Sequence, residues 1–332
     1  MRISAFRFIR AAIASILVAP AVAHAVLTLT ADGVNLGFTA STFVSGLPDV
    51  AFLNQGPFGL ALTGNGNVLV SDYANSTRYV FSDVDNQTPA NALASVTSFS
   101  GSQGYASGVG AAYGGNGTNF VKFNDNGTEA STLVPTVTPH FGMTANPATG
   151  HLIATSSQGL IDIDPVANSF HVIQGTIDTS GDGVSLSPDG TIAYVGFYAT
   201  GHVIGYRVAD GTVAFDSGNI GHFPDGTGVI VSNNSLNGKI IVNGEDGDVL
   251  LIDPNGAPGN FVIIATSGQR GDYVAADRSN GTLLLDYSTE VDRLSCGPNC
   301  AIGSPVPEPD TWAMFTAGVG LLVLVARRLH RV

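Results

Sequence analysis

A short apolar run, an Asp-Gly pair and a second apolar run recur along this chain, and residues 180–197 give the clearest copy. Val184 and Leu186 alternate with polar residues before Asp189-Gly190, and residues 192–195 are apolar. Asp-Gly between apolar runs predicts a β-hairpin, because glycine adopts positive φ without a Cβ clash. The pattern predicts an all-β protein. Asn-Gly and Asp-Gly pairs begin at residues 32, 65, 116, 126, 182, 189, 210, 225, 237, 246, 255 and 280.

The spacing of the candidate first strands sets the architecture. They lie at residues 58–62, 107–109, 141–144, 182–186, 227–231 and 272–275, and their second residues are 49, 34, 41, 45 and 45 positions apart. A β-helix has a much shorter period, and a sandwich has no internal repeat. The observed period suits a four-stranded propeller blade. We therefore predict a six-bladed β-propeller over residues 26–300. No stretch between the chain ends has the apolar spacing of a helix, so no helix is predicted there.

One strand pattern has no local partner. Residues 36–44 alternate like a strand, whereas the last repeat supplies three strands only, at 272–276, 282–287 and 290–295. An unpaired sheet edge invites aggregation. We therefore expect residues 36–44 to become the fourth strand of the last blade and to close the ring.

The N-terminus has the three parts of a secretory signal peptide. Arg2, Arg7 and Arg10 precede an apolar run at residues 11–22, and Ala23-His24-Ala25 follows as a small-residue cleavage site. A transmembrane helix needs about 20 apolar residues, more than this run provides. Residues 1–25 are predicted to be a signal peptide, and the protein is predicted to be exported.

Charge restricts the partners. The chain has a formal net charge of −13, and its core without the two end segments has seven basic and 24 acidic residues. Such a surface repels nucleic acid. It favours divalent cations instead.

The two cysteines, Cys296 and Cys300, are separated by three residues. An exported protein meets an oxidising compartment, so a small disulfide loop is expected. A metal site would need further ligands, and a redox motif would have two intervening residues.

The C-terminal segment has three parts in a fixed order. A proline-rich linker at 301–310 contains Pro307-Glu308-Pro309, and an apolar stretch follows at 313–326. Basic residues complete the predicted transmembrane sorting segment, 311–332, which ends with Arg327, Arg328 and Arg331. Cationic residues after an apolar stretch hold that end in the cytoplasm.

This tail resembles the PEP-CTERM sorting signal of Gram-negative bacteria. The resemblance implies that an exosortase-type enzyme recognises and processes the tail while it lies in the inner membrane. It also implies delivery to the cell surface or an exopolysaccharide matrix. The alternative is a plain C-terminal membrane anchor, which has no need of the Pro-Glu-Pro motif.

Candidate metal ligands precede four of the innermost strands: His140, Asp182, Asp225 and Asp272. Carboxylates and an imidazole that converge on a propeller channel suit Ca²⁺ or another divalent ion. The alternative is that these residues only start blades.

The arrangement is loosely similar to the regucalcin and gluconolactonase family, six-bladed propellers with a central metal used in lactone hydrolysis. Asp225, in Pro224-Asp225-Gly226, matches the Pro-Asp-Gly ligand position of that family. Asp182 stands where the family usually has asparagine, and His140 departs from its pattern. The glutamate expected near Gly56-Pro57 is absent.

The sequence has no nucleophile elbow, phosphate loop or His-Glu-x-x-His motif. We therefore expect a non-catalytic binding or structural module without a catalytic residue and with no cofactor other than Ca²⁺ at the channel. An exopolysaccharide or a surface protein is the expected partner. The alternative is a metal-dependent lactonase-type hydrolase or lyase.

Overall fold

The computed structural model describes residues 26–50, 55–97, 104–108, 110–135, 137–173, 175–176 and 181–303. The predicted signal peptide, the Pro-Glu-Pro motif and the predicted sorting segment lie outside these residues. Among the residues that are described, no helix is long and apolar enough to cross a membrane.

Six antiparallel sheets of the described residues form the blades of a propeller, as predicted. The first blade consists of β3 (Pro57–Leu62), β4 (Val68–Asp72), β5 (Thr77–Phe81) and β6 (Ala94–Thr97). The second consists of β7 (Tyr105–Gly108), β8 (Ala111–Gly115), β9 (Phe120–Phe123) and β10 (Glu129–Val134). The third consists of β11 (Pro139–Ala145), β12 (Leu152–Ser156), β13 (Gly159–Asp164) and β14 (Ser169–Val172).

The later blades follow the same order. The fourth consists of β15 (Val184–Leu186), β16 (Ile192–Phe197), β17 (His202–Arg207) and β18 (Val213–Asp216). The fifth consists of β19 (Pro224–Ser232), β20 (Ile240–Gly244), β21 (Asp248–Ile252) and β22 (Phe261–Thr266), with β1 (Thr28–Leu29) at its outer edge. The sixth consists of β23 (Gly271–Asp277), β24 (Thr282–Tyr287), β25 (Glu290–Ser295) and β2 (Thr39–Ser45).

The N-terminal strand closes the ring. Strand β2 pairs antiparallel with β25, from Thr39 opposite Ser295 to Ser45 opposite Glu290. This confirms that the unpaired strand pattern completes the last blade. The strand begins later than predicted, because Leu36 caps a preceding helix. Phe43 and Val44 of this strand are fully buried, so closure also fills the core.

The prediction that no helix lies between the chain ends was wrong in two places. Helix α1 (Ala31–Asn35) forms one turn, and a 3₁₀ helix spans Pro89–Asn91. The side chain of Thr30 accepts a hydrogen bond from the Gly33 N–H at 3.1 Å and thereby caps α1. Asp32-Gly33, expected to be a hairpin turn, therefore belongs to a helix. Gly33 also lies against the backbone of Ile264, where a Cβ would be 2.1 Å from the carbonyl oxygen.

Two other Asp-Gly pairs do not form hairpin turns. Asp225-Gly226 lies inside β19, and Asp182-Gly183 directly precedes β15. The Gly183 N–H donates to the Asp225 carbonyl at 3.0 Å, across the boundary between two blades. Glycine is needed here because two inner strands approach closely. Asp189-Gly190 does form the predicted turn, between β15 and β16, with Gly190 at φ 72°.

The core lies between blades, so both faces of each sheet are buried. On β20, Ile241 packs toward the sixth blade against Leu283, whereas Ile240 and Val242 pack toward the fourth blade against Tyr194. A strand buried on both faces needs nearly continuous apolar residues. This explains the short apolar runs of the sequence.

A buried ion cluster joins the last blade to the first. Arg293, on β25, contacts the carboxylates of Asp277, Asp83 and Asp85, the last at 2.8 Å from Nε. Its guanidinium also lies 5.2 Å from the ring centroid of Phe43 on the closing strand. The side chain of Asp277 is fully buried, and that of Arg293 is 9% exposed. The cluster thus lies directly at the closure.

The chain leaves the propeller along the fifth blade. A disulfide joins Cys296 and Cys300, whose Cα atoms are 5.6 Å apart. Strand β26 (Cys300–Ile302) then pairs with the C-terminal end of β19, and the Gly303 N–H donates to Val229 O at 2.7 Å. Regular structure therefore continues past residue 300, the predicted end of the propeller.

Candidate functional site

The inner strands surround a central channel. These strands are β3, β7, β11, β15, β19 and β23, and neighbouring members contact each other around the ring. All six begin at the same end of the channel, which we call the channel mouth, and end at the opposite end, the channel base. Residues at the starts of the inner strands therefore converge at the channel mouth.

Asp182, Asp225 and Asp272 occupy equivalent positions at the channel mouth in the fourth, fifth and sixth blades. Their carbonyl oxygens lie 2.2, 2.6 and 2.7 Å from the place a Cβ would take on a glycine of the preceding blade. The three glycines are, in order, Gly142, Gly183 and Gly226. The repeated contact identifies the same structural position three times. Three of the four candidate metal ligands thus come together.

His140 does not occupy the equivalent position in the third blade. Phe141 does, because its carbonyl oxygen lies 3.0 Å from the Cβ position of Gly104 in the second blade. His140 is one residue earlier on β11, half-buried, with its ring centroid 6.1 Å from that of Phe141. Aligning Phe141-Gly142 with Asp182-Gly183 in the sequence would have given this assignment.

Three charged residues at the channel mouth were missed by the sequence analysis. Glu245 follows β20, Asp286 lies on β24, and Arg270 precedes β23. Arg270 forms an ion pair with Glu245, and its Nη2 atom lies 3.4 Å from the Asp272 carboxylate. Glu245 and Asp286 belong to the second strands of their blades or the turn after them, and Arg270, just before β23, is not a metal-ligating residue type. The site therefore has five carboxylates and one guanidinium.

Burial and mutual repulsion raise the pKa of these carboxyl groups. Burial contributes most to the raised pKa of Asp225, followed by the charges of Asp272 and Asp182. Burial, followed by the charge of Asp286, raises the pKa of Asp272 well above its usual range. Burial also raises the pKa of Asp182 to about 6. The guanidinium of Arg270 opposes these shifts without removing them.

Several oxygens here are buried without a well-formed hydrogen bond. They are Oδ1 of Asp225, both carboxylate oxygens of Asp286 and Oδ1 of Asn243. The backbone N–H of Tyr273 stabilises the Asp286 carboxylate in part, yet the pKa of that group stays well above its usual range because of burial. An uncompensated buried acceptor is unfavourable. The channel mouth therefore has more acceptors than donors.

Tyr273 closes the channel below these groups. It directly follows Asp272 on β23, and its hydroxyl contacts the carbonyl oxygens of Tyr105 and Met143 on the second and third blades. Burial raises the pKa of this hydroxyl above its usual range. Tyr273 is therefore a neutral floor beneath the acidic site.

A second group of possible metal ligands lies on the rim of the channel mouth. His222 Nδ1 is 2.7 Å from Asp246 Oδ2 and 3.3 Å from Asp248 Oδ2. The three ligand atoms lie within 4.8 Å of one another. His222 precedes β19, and the two aspartates belong to the hairpin between β20 and β21 that also supplies Glu245. No spacing pattern in the sequence marks this cluster.

Exposed aromatic side chains also lie on the rim. Tyr198 and Phe223 are 41% and 50% exposed, and their ring centroids are 5.3 Å apart. The Tyr198 N–H donates to Asp182 Oδ2 at 3.2 Å, and Phe223 O accepts from the Glu245 N–H at 3.1 Å. The aromatic pair is thus fixed directly beside the acidic site.

Because of the acidic site, we expect the free energy of unfolding to depend on pH in an unusual way. A folded-state pKa above the ordinary value means that the native state binds more protons, so stability falls as pH rises through that interval. For Asp182 the interval runs from 3.8 to about 6. Asp72 and Glu290, which do not belong to the five-carboxylate site, add to the same decrease, because burial raises the pKa of each to about 7. In the absence of divalent cations, the free energy of unfolding should therefore decrease between about pH 4.5 and 7.5.

Urea unfolding at stepped pH checks this prediction. Asp182→Asn should flatten the decrease, whereas Asp210→Asn, in an exposed hairpin, should leave it unchanged. A free energy of unfolding that rises steadily over the same interval in the native protein would contradict the acidic site described here.

Comparison with known proteins gives one sequence match and several structural ones. Residues 305–331 match the PEP-CTERM protein-sorting motif, which marks an exported protein that is sorted through the membrane and processed by an exosortase. No curated protein sequence matches the chain.

The fold is shared with solved propellers of low sequence identity. A gluconolactonase from Xanthomonas campestris has 12% identity and a TM-score of 0.60, covering 81% of this chain and 94% of that one. A luciferin-regenerating enzyme has 12% identity and a TM-score of 0.56, with 82% and 99% covered. An auxiliary nutrient binding protein from Bacteroides thetaiotaomicron has 10% identity and a TM-score of 0.54, with 78% and 76% covered. At such identities the likeness shows the fold alone.

Proposed function

We propose that this protein is an exported, non-catalytic binding module of the cell surface or extracellular matrix of a Gram-negative bacterium. In this proposal the channel mouth binds Ca²⁺, and the ion and the aromatic rim together hold the ligand. The observation that carries it is the convergence of Asp182, Asp225 and Asp272 with two further carboxylates. The sorting motif supports the location.

The donor set fits a hard divalent cation. Ca²⁺ prefers carboxylate and carbonyl oxygens, and this site offers buried oxygens of Asp225 and Asp286 without a well-formed hydrogen bond. When bound, Ca²⁺ supplies positive charge and accepts oxygen ligands. Arg270 neutralises part of the site, mainly at Glu245 and Asp272. The remaining carboxylates are those that a cation would compensate.

The rim indicates the chemistry of the ligand. Aromatic side chains bury apolar area at low conformational cost and stack on flat apolar faces. Tyr198 and Phe223 present such faces beside polar oxygens, which suits a sugar ring of an exopolysaccharide. A surface protein is the other partner that fits an exported module. The acidic surface disfavours nucleic acid.

A thermal unfolding experiment with Ca²⁺ tests the cation site. At pH 7.5, millimolar Ca²⁺ should raise the melting temperature of the purified protein, and a chelator should reverse the rise. When the free Ca²⁺ concentration is one hundred times Kd, binding adds about 2.7 kcal/mol to the free energy of unfolding. The double variant Asp182→Asn, Asp225→Asn should lose the response.

The rim cluster provides the matched control. Asp246→Asn with Asp248→Asn also removes two carboxylates, from a neighbouring position, and should keep the response. The proposal would be contradicted if Ca²⁺ left the melting temperature of the native protein unchanged. It would also be contradicted if Ca²⁺ still raised the melting temperature of the Asp182→Asn, Asp225→Asn variant.

A metal-dependent lactonase-type hydrolase or lyase is the second candidate. The same convergence of carboxylates favours it, because a metal at this site would lie where a ligand enters the channel. Hydrolysis of sugar lactones with Ca²⁺, Mn²⁺ or Zn²⁺ distinguishes the two functions. If the native protein hydrolyses these lactones and Asp225→Asn does not, the protein is an enzyme of this type and the non-catalytic function is wrong.

A further inference from the structure

A cavity lies at the lower half of the central channel, below the floor formed by Tyr273. Its volume is about 40 Å³. Its wall includes Ser107, Ser185, Thr227, Arg278 and Gly303. A cavity above roughly 10–15 Å³ already accommodates one water molecule. The space therefore suffices for a small ion.

The guanidinium of Arg278 crosses the channel base toward this cavity. Its Nη1 donates to Ser107 O at 3.3 Å, and its Nη2 donates to Ala145 O at 3.0 Å. These carbonyls belong to the second and third blades, whereas Arg278 follows β23 of the sixth. The side chain is thus held in place by neutral acceptors on the far side of the channel.

No anionic group compensates Arg278 in the described part of the chain. No carboxylate of the described residues lies within 4.0 Å of its guanidinium nitrogens, and the adjacent Asp277 contacts Arg293 instead. Its Nε is buried and donates no hydrogen bond. Burial lowers the pKa of Arg278 to about 10, which leaves it charged at neutral pH. The side chain as a whole is half-buried, and a charge partly withdrawn from water without a counter-ion is unfavourable.

A second donor of the cavity wall also lacks an acceptor. Ser185 is 7% exposed, and its Oγ is buried without a hydrogen-bond partner. Two donors with no acceptor, Arg278 Nε and Ser185 Oγ, thus belong to one small cavity. Water would accept hydrogen bonds from them but would leave the charge uncompensated. An anion would satisfy both requirements.

We propose that the cavity binds one small monovalent anion, chloride in the native environment, as the counter-ion of Arg278. The site is separate from the acidic channel mouth, because Tyr273 lies between them and the two ends carry opposite charge. The proposal does not depend on the function of the channel mouth.

Bromide is the probe for this site. Thermal unfolding is measured while bromide replaces methanesulfonate, a larger anion, at constant ionic strength. The melting temperature should rise with bromide and approach a shift of roughly 5 °C at an excess of one hundred times Kd. Crystals grown in bromide should show an anomalous peak in the cavity.

Two variants and one control complete the test. Arg278→Met should abolish the bromide response, and Ser185→Ala should weaken bromide binding several-fold while leaving the fold intact. Arg207→Met removes an exposed arginine on β17 and should keep the full response. If Arg278→Met fails to fold, Ser185→Ala and the anomalous peak decide the question. The absence of a peak, or an equal response in Ser185→Ala, would overturn the proposal.

Discussion

Replacing Arg293 with methionine is expected to lower the free energy of unfolding by about 3–5 kcal/mol, because three carboxylates then lose their shared counter-charge at the ring closure. The Asp277 side chain is fully buried, so bulk solvent does not reach it to replace the guanidinium. Methionine keeps an apolar stem beside Phe43, so the change isolates the charge. Urea unfolding at neutral pH measures the effect.

An exposed ion pair gives the comparison. Lys239 contacts Asp253 at 2.7 Å, and the side chain of Asp253 is 46% exposed. Exposed pairs contribute about 0–1 kcal/mol, so Lys239→Met should change stability little. Equal losses in the two variants would mean that the Arg293 cluster does not hold the closure.

Replacing Pro307-Glu308-Pro309 with three alanines should have the largest effect on location. In a host that has an exosortase, the native chain should be processed and released from the inner membrane. The alanine variant should stay there at full length, because the processing enzyme no longer recognises its motif. Immunoblots of membrane and extracellular fractions measure the distribution.

Ser304→Ala is the control, since it alters the same linker just before the matched residues 305–331 and should leave processing unchanged. Normal release of the triple-alanine variant would show that the motif is not what directs sorting.

Local sequence patterns predicted the blades because their causes are local. Asp189-Gly190 forms a turn since glycine tolerates positive φ, and apolar runs become strands buried on both faces. The closing strand was also predictable, because residues 36–44 had strand character and the last repeat was one strand short. For the turns and strands a few neighbouring residues contained the whole signal, whereas the closing strand also required the strand count of the last repeat.

The channel mouth depended on contacts that no local pattern contains. Asp182-Gly183 and Asp225-Gly226 look like turn dipeptides, yet each glycine is needed for close approach to the next blade. Asp286 and Arg270 enter the site from different strands and loops of the last blade. Only the curvature of the ring brings them beside Asp225, so sequence spacing alone identified only some of the charged residues at the channel mouth.

The position of Gly303 bears on the orientation of the propeller during sorting. This residue lies at the channel base, next to Arg278, and the sorting motif follows it in sequence. While the chain is sorted through the membrane, we expect the channel base to be the end nearer the lipid. The acidic mouth with Tyr198 and Phe223 would then open away from the bilayer. Soluble polymers would reach it without passing between the protein and the membrane.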